Sequence, residues 1–235
     1  MSRIVVLTGA GISAESGVPT FRDADGLWEG YHVEDVATPE AYERDPATVL
    51  AFYDERRAAL AGVVPNPAHE ALARLEAAVG EELLVVTQNI DDLHERGGLQ
   101  RVVHMHGELL KAWCTACDQR HAWTGTLADR PLCPGCGATE LRPDVVWFGE
   151  IPYEMDRIID HLTDAEIFVS IGTSGPSTRL PGSSSTPVAT APGPPSSTSS
   201  RARARSSSTT PVTARPASWS RPGSTSCSAR DRRKA

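Results

Sequence analysis

Four short apolar runs stand out along an otherwise polar chain. They are Arg3-Ile4-Val5-Val6-Leu7, ending at Thr8-Gly9; Glu82-Leu83-Leu84-Val85-Val86-Thr87; Val102-Val103-His104-Met105; and Ile167-Phe168-Val169-Ser170-Ile171-Gly172. Rich in Val, Ile and Leu without alternation, they predict strands buried on both faces, as in a parallel sheet. A Gly turn after the first run leads into Ile12–Ser16, a predicted short helix. Over 39–78, Leu50, Phe52, Tyr53, Leu60, Leu72 and Leu75 recur among polar residues, a helical pattern interrupted at Pro65 and Pro67. Residues 111–143 are rich in Cys, Gly and Pro and have little apolar periodicity, so this segment needs a staple in place of a core. Strands alternating with helices imply an α/β fold with a parallel sheet. The pattern stops at Pro176: from there Leu180, Val188, Val212 and Trp219 are the only large apolar residues, and the segment is expected to be disordered.

Charge sharpens that boundary. The chain has 235 residues and a net charge of -7, but Pro176–Ala235 holds ten Lys and Arg against one acidic residue. Residues 1–175 therefore carry -16 and the remainder +9. An acidic body argues against nonspecific nucleic-acid binding, which needs cations to neutralise phosphates. No run approaches the roughly 18 apolar residues of a membrane span. Ile4–Leu7 is too short for a signal peptide. Four of the five cysteines fall in two close pairs, which suggests metal ligation in a reducing compartment such as the cytoplasm.

Those pairs are Cys114-Thr115-Ala116-Cys117 and Cys133-Pro134-Gly135-Cys136, separated by 15 residues. This spacing fits a tetrahedral Zn²⁺ site, and four thiolates leave no open position, so the metal is expected to be structural. Gly9-Ala10-Gly11-Ile12-Ser13 follows the first strand, where glycines let backbone N–H groups approach a phosphate. His106 stands in a Gly-containing turn and, read alone, is more often structural than catalytic. Tyr53 and Arg56, at i and i+3, share a helix face, with Arg57 as a competing guanidinium.

The longer run Gly9–Arg22 (Gly-Ala-Gly-Ile-Ser-Ala-Glu-Ser-Gly-Val-Pro-Thr-Phe-Arg), then Gly26-Leu27-Trp28, resembles the signature of the sirtuins, NAD-dependent protein-lysine deacylases. Thr87-Gln88-Asn89-Ile90-Asp91-Asp92-Leu93-His94, His104-Met105-His106-Gly107-Glu108-Leu109, Val146-Trp147-Phe148-Gly149-Glu150 and Gly172-Thr173-Ser174 follow in family order, and the resemblance covers 1–175. It implies a Rossmann-like sheet (about 1–30, 80–110 and 145–175), a helical module (about 31–79) and a zinc module (about 111–143). It also implies NAD⁺ as a consumed co-substrate and acylated-lysine proteins as partners of a monomeric enzyme. The acyl oxygen attacks the ribose carbon and nicotinamide leaves; His106 is the general base on a ribose hydroxyl, which attacks the imidate, and water completes the release of free lysine and O-acyl-ADP-ribose. Gly9, Ala10, Gly11, Ile12, Ser13, Phe21, Arg22 and Trp28 are implied on the cofactor. So are Gln88, Asn89, Ile90 and Asp91 near nicotinamide and ribose, with Gly172, Thr173 and Ser174 on the adenosine side. Val146, Trp147 and Phe148 are implied to pair with substrate backbone as an added strand. Tyr53-x-x-Arg56 resembles the pair that marks succinyl and malonyl preference, with Arg on the distal carboxylate and Tyr donating to it.

After Ser174 the chain departs from the family. Codons permitted for Pro176–Ser183, read two bases on, encode Val-Tyr-Pro-Ala-Ala-Gly-Phe, as the family has there, and two later stretches give apolar strand and helix patterns in the same frame. Residues from about 176 onward are therefore expected to be a frameshift product, leaving the sheet incomplete at its C-terminal end and activity weak. The competing expectation is a non-catalytic zinc-ribbon protein that binds nucleic acid or acidic partners through a natural basic tail.

Overall fold

The computed structural model describes residues 3–20, 27–28 and 30–173. Phe21, Arg22, Ser174 and the basic segment from Pro176 lie outside the described residues, and so does the expectation of a disordered tail.

The four apolar runs form one parallel sheet. β1 (Ile4–Thr8) pairs with β4 (Leu83–Thr87) on one side and β9 (Ile167–Ile171) on the other, and β5 (Val102–His104) pairs with β4, giving the order β5-β4-β1-β9. Alternate side chains serve two cores. Val6, Leu83 and Val85 pack with Leu72 of α4 (Pro67–Val79), while Val5, Leu84, Val86 and Val103 pack with Ile158 of α6 (Met155–Thr163). Cover on both faces is the reason the inner strands β1 and β4 are apolar up to Thr8 and Thr87 at their ends.

The expected short helix at Ile12–Ser16 is instead two 3₁₀ turns, Ala10–Ile12 and Ala14–Ser16. Ser13 turns its hydroxyl inward to Asp91, and Gly17 at φ 92° closes the segment. Between β1 and β4 come a two-residue pair, β2 (Leu27–Trp28) and β3 (Tyr31–His32), then α1 (Val33–Val36), α2 (Pro39–Arg44), α3 (Pro46–Leu60) and α4. The helical run thus also breaks at Asp45-Pro46, ahead of the interruption expected at Pro65 and Pro67. Each of α2, α3 and α4 opens with Pro at its first position, behind a cap: Thr38 accepts from Ala41 N–H (3.1 Å), Asp45 from Thr48 N–H (3.1 Å) and Asn66 from Ala68 N–H (2.9 Å).

Residues 111–143 join a second, antiparallel sheet of order β7-β6-β8: β6 (Gly107–Cys114), β7 (Arg120–Ala122) and β8 (Leu141–Val145). Its core is thin: Leu50 of α3 with Ala112, Cys114, Leu127, Cys133 and Leu141. The helices α1–α3 pack against the start of β6 and the end of β8 through Phe52, Tyr53, Leu109, Val145 and Trp147. No helix among the described residues is long and apolar enough to cross a membrane.

Candidate active site

The loops that leave the C-terminal ends of β1, β4, β5 and β9 surround a cavity of about 850 Å³, within the size range of small-molecule and cofactor sites. Ala10 and Gly11 come from the β1 loop, Gln88, Asn89, Ile90 and Asp91 from β4, His106 from β5, and Gly172 and Thr173 from β9. Trp28, Tyr53, Val146, Trp147 and Phe148 line the far wall. The cavity thus opens at the carboxyl edge of a parallel sheet, where such folds hold ligands.

Gly9 and Gly11 act differently from the phosphate cradle expected of them. Gly9 N–H donates to Ile171 O (3.0 Å) and Gly11 N–H to Gly172 O (2.9 Å), while Ile12 and Ser13 N–H close the 3₁₀ turn on Gly9 O and Ala10 O. From Gly9 to Ser13, the Ala10 N–H is left for a ligand among the described residues. The glycines permit backbone to lie against backbone: a Cβ on Gly11 would stand 2.7 Å from Gly172 Cα, and one on Gly172 (φ 66°) 2.3 Å from Ile12 N. Gly9 does not line the cavity, Ile12 is buried in the core and Ser13 is buried beneath the cavity floor, so these three shape the site from behind.

His104 and His106 have opposite surroundings. His106 Nδ1 donates to Gln88 O (3.0 Å) and its ring lines the cavity. Burial lowers its pKa, the Gln88 carbonyl offsetting this in part, so the ring is neutral with Nε2 unprotonated. His104 meets acceptors on both nitrogens, Asn89 O at 3.2 Å and Glu95 Oε1 at 2.6 Å, and does not line the cavity. Burial opposes its charge, but the Glu95 carboxylate outweighs burial and raises its pKa. Of the two, only His106 can accept a proton from a cavity ligand.

Beneath the floor runs a buried polar chain. Asn66 N–H donates to His69 Nδ1 (3.2 Å), which puts the His69 proton on Nε2, facing Ser13 Oγ (3.4 Å). Ser13 donates to Asp91 Oδ2 (3.0 Å) and accepts from Asn89 Nδ2 (3.0 Å). Burial raises the Asp91 pKa against the Leu93 N–H, Ser13 and His69, which lower it. Alongside, His94 is paired with Thr8 Oγ1 (2.9 Å), and burial brings its pKa down to about 4. Sequence reasoning missed His69 and His94; the signal for His69 was its place as third residue of the helix capped by Asn66.

Tyr53 is fully buried, its hydroxyl accepting from Trp147 Nε1 (3.0 Å), which leaves its own proton to donate into the cavity. Arg56 does not line that cavity. Its guanidinium lies 3.1 Å over the Phe52 ring and donates to Phe52 O (2.6 Å), in a cavity of about 100 Å³ beside the first. Val18, Pro19, Trp28, Ile90 and Asp91 line both cavities, so the two adjoin. Arg57 turns the other way, to Asp54, Leu109 O (3.0 Å) and Gly125 O (3.2 Å), and is structural. The loop expected to pair with substrate is held by its own donors: Val146 N–H to His106 O, Trp147 N–H to Glu150 and Phe148 N–H to Ala37 O. Glu150, which sequence reasoning placed in the motif without a role, also grips Arg142 at 2.8 and 3.0 Å, and Arg142 stacks on Trp147.

Cys114, Cys117, Cys133 and Cys136 converge, all four sulfurs within 4.8 Å of one another. Cys114–Cys136 and Cys117–Cys133 are 3.7 and 3.8 Å apart. A tetrahedron with Zn–S bonds of about 2.3 Å has edges of about 3.8 Å, so the donor set fits a zinc ion.

The family model described as Sir2 matches residues 9–177. An NAD-dependent protein deacylase of Yersinia pseudotuberculosis serotype I (strain IP32953) is 58% identical over 175 residues, 73% of this chain and 63% of that protein. The chain thus spans somewhat less than two thirds of that relative's length. Among solved structures, a Sir2 homolog–NAD complex superposes with a TM-score of 0.66 at 42% identity, covering 74% of this chain and 69% of that one. A Sir2 mutant with a deacetylated p53 peptide and 3′-O-acetyl-ADP-ribose gives 0.63 at 31%, covering 74% and 72%.

Proposed function

The chain belongs to the Sir2 family, and from that membership we propose that it removes acyl groups from protein lysine side chains, with NAD⁺ as co-substrate. The observation that carries this reading is the placement of His106: its Nδ1 is anchored on Gln88 O and its ring lines a cavity at the sheet's carboxyl edge, which leaves Nε2 for a ligand. NAD⁺ supplies an electrophilic ribose carbon bearing nicotinamide. His106 Nε2 takes the proton of a ribose hydroxyl. Ala10 N–H and Thr173 line the side taken by the phosphates and adenosine, and the contacts expected of Phe21, Arg22 and Ser174 lie outside the described residues. Gln88, Asn89 and Asp91 hold the nicotinamide-ribose end. Val146, Trp147 and Phe148 line the wall along which the peptide would lie, and the four cysteines hold a structural zinc. Cysteines paired for metal ligation support a reducing, cytoplasmic setting. Formation of free lysine from an acyl-lysine peptide, with and without NAD⁺, tests the reading; deacylation that needs no NAD⁺, or that His106→Ala leaves unchanged, would overturn it.

The acyl preference proposed is for succinyl and malonyl groups. It is supported by the adjoining cavities: a longer acyl chain passing Tyr53 enters the space where Arg56 lies, within reach of both a phenol donor and a guanidinium. Arg56→Met should lower kcat/KM for succinyl-lysine roughly 10- to 100-fold, the worth of one charge-assisted bond, and leave acetyl-lysine nearly unchanged. Equal losses on both would refute it.

The segment from 176 is proposed to lie outside the functional domain and to weaken it. The family match ends at 177, where composition and charge change.

A further inference from the structure

We propose that Glu95, His104 and Glu108 form a second divalent-cation site, of the zinc class and separate from the four cysteines, which ties α5 (Leu93–Arg96), β5 and β6 together. One donor atom from each of the three side chains lies within 4.8 Å of the others. The His104 side chain is 7% exposed, those of Glu95 and Glu108 39% and 31%, so a buried imidazole sits under two accessible carboxylates. Its Nδ1 is fixed by a group outside the cluster, the Asn89 carbonyl (3.2 Å), which turns Nε2 toward the carboxylates. A ring nitrogen held on a backbone carbonyl, with the other presented to further ligands, is how proteins orient metal-binding histidines.

Ordinary ion pairing accounts for part of this arrangement: Glu95 meets His104 and Glu108 meets Lys111. The same pairing leaves carboxylate oxygens from a helix and a strand within 4.8 Å of one imidazole nitrogen, near enough for all three side chains to reach one ion. Metal binding would release the proton that His104 shares with Glu95, and the dication would take its place facing both carboxylates. One imidazole with two carboxylates is a donor set for borderline divalent ions, water completing the shell. Bonds of about 2.0–2.2 Å would hold the donors about 3.3–3.5 Å apart. Glu95 then backs away from Nε2 by under about 1 Å, and Glu108 turns from Lys111. Asn89 and Gln88 carry the carbonyls that orient His104 and His106, so the ion would stiffen the strap on which both rings hang.

The test uses the untagged full chain with one zinc already on the cysteines, titrated calorimetrically with Zn²⁺. A second equivalent should bind, weaker than the first, and raise the thermal midpoint. Glu95→Gln and Glu108→Gln should each weaken it tenfold or more and abolish that rise, leaving the first zinc in place. With Co²⁺, the second equivalent should add no thiolate charge-transfer band. Should either variant fail to fold, Lys111→Met, which frees Glu108, should tighten the second site several-fold. A single metal per chain, a second one held equally by the Gln variants, or no response to Lys111→Met would overturn the proposal. None of these readouts uses NAD⁺, so the deacylase reading and this one can fail separately.

Discussion

At the scale of single residues, acceptors decide what each imidazole can do. His106 has one, Gln88 O, and keeps a lone pair for the cavity; His104 has two and keeps none. Removing the first ring by His106→Ala should lower NAD⁺-dependent turnover at least about 100-fold, the usual worth of a general base. The zinc content and far-UV circular dichroism should stay unchanged, because the ring supports no buried core. His69 gives a different prediction, on stability. Asn66 N–H donates to its Nδ1, so protonating that nitrogen sets two donors against each other at the start of α4. Burial lowers its pKa below the ordinary 6.5, Asp91 opposing this only in part. The unfolded chain therefore takes up the proton first. The stability that goes with neutral His69 is fully present above about pH 6.5 and is lost as pH falls below it. In urea melts between about pH 5 and 7.5, His69→Gln should flatten this slope by up to about 1.4 kcal/mol per pH unit. An unchanged slope would show that other groups set it.

At the scale of elements, α3 joins what the chain keeps apart. Asp54 accepts from Leu127 and Ala128 N–H at 2.8–3.0 Å, and buried Arg57 crosses to Leu109 and Gly125 carbonyls. Arg57→Met leaves Asp54, 11% exposed, without its cation, and should cost about 3–5 kcal/mol in denaturant melts. Removing zinc acts from the other side of the same seam. With so thin an apolar core, the segment 115–140 should become the first site of limited proteolysis on chelation, while the parallel sheet keeps its protection. These two elements also show what a sequence can reveal. The parallel strands were legible because each is a short apolar run without alternation, β1 and β4 having both faces covered. β8, Leu141-Arg142-Pro143-Asp144-Val145, was not legible, although all five residues are buried. Its charges are satisfied by partners distant in the chain or across a turn: Arg142 by Glu150, Asp144 by Arg120 and Tyr153. Burial by pairing leaves no apolar signature. The break at Pro46 was missed, although Asp45-Pro46, a cap followed by a first-turn proline, carries its signal. The use of the Gly9 and Gly11 donors was not legible, since their acceptors belong to β9 and the residue after it, some 160 residues away.

At the scale of the whole molecule, the sheet is finished unevenly. β5 bounds one side, and β9 bounds the other among the described strands. β9 keeps Ile167 44%, Phe168 38% and Val169 39% exposed, where the strands inside the sheet bury such residues. An apolar edge strand of this kind is normally covered or blunted. The family match ends six residues past it, at 177, and the chain from there to Ala235 is basic and poor in apolar residues. If the segment from 176 is read out of frame, restoring the frame returns apolar chain where an apolar surface waits for it. Full burial of a large aliphatic or aromatic side chain contributes about 1.5–3 kcal/mol, so covering the remaining two fifths of three of them contributes roughly 2–3 kcal/mol. For a domain of this size that corresponds to a rise in thermal midpoint of about 5–10 °C. The frame-restored chain should show this rise, stronger hydrogen-exchange protection over 167–171, and NAD⁺-dependent desuccinylation above that of the present chain. Sequencing the gene around codon 175 decides the premise independently. Should both proteins melt together and turn over alike, the basic segment is a natural part of this chain and the exposed face of β9 needs another explanation.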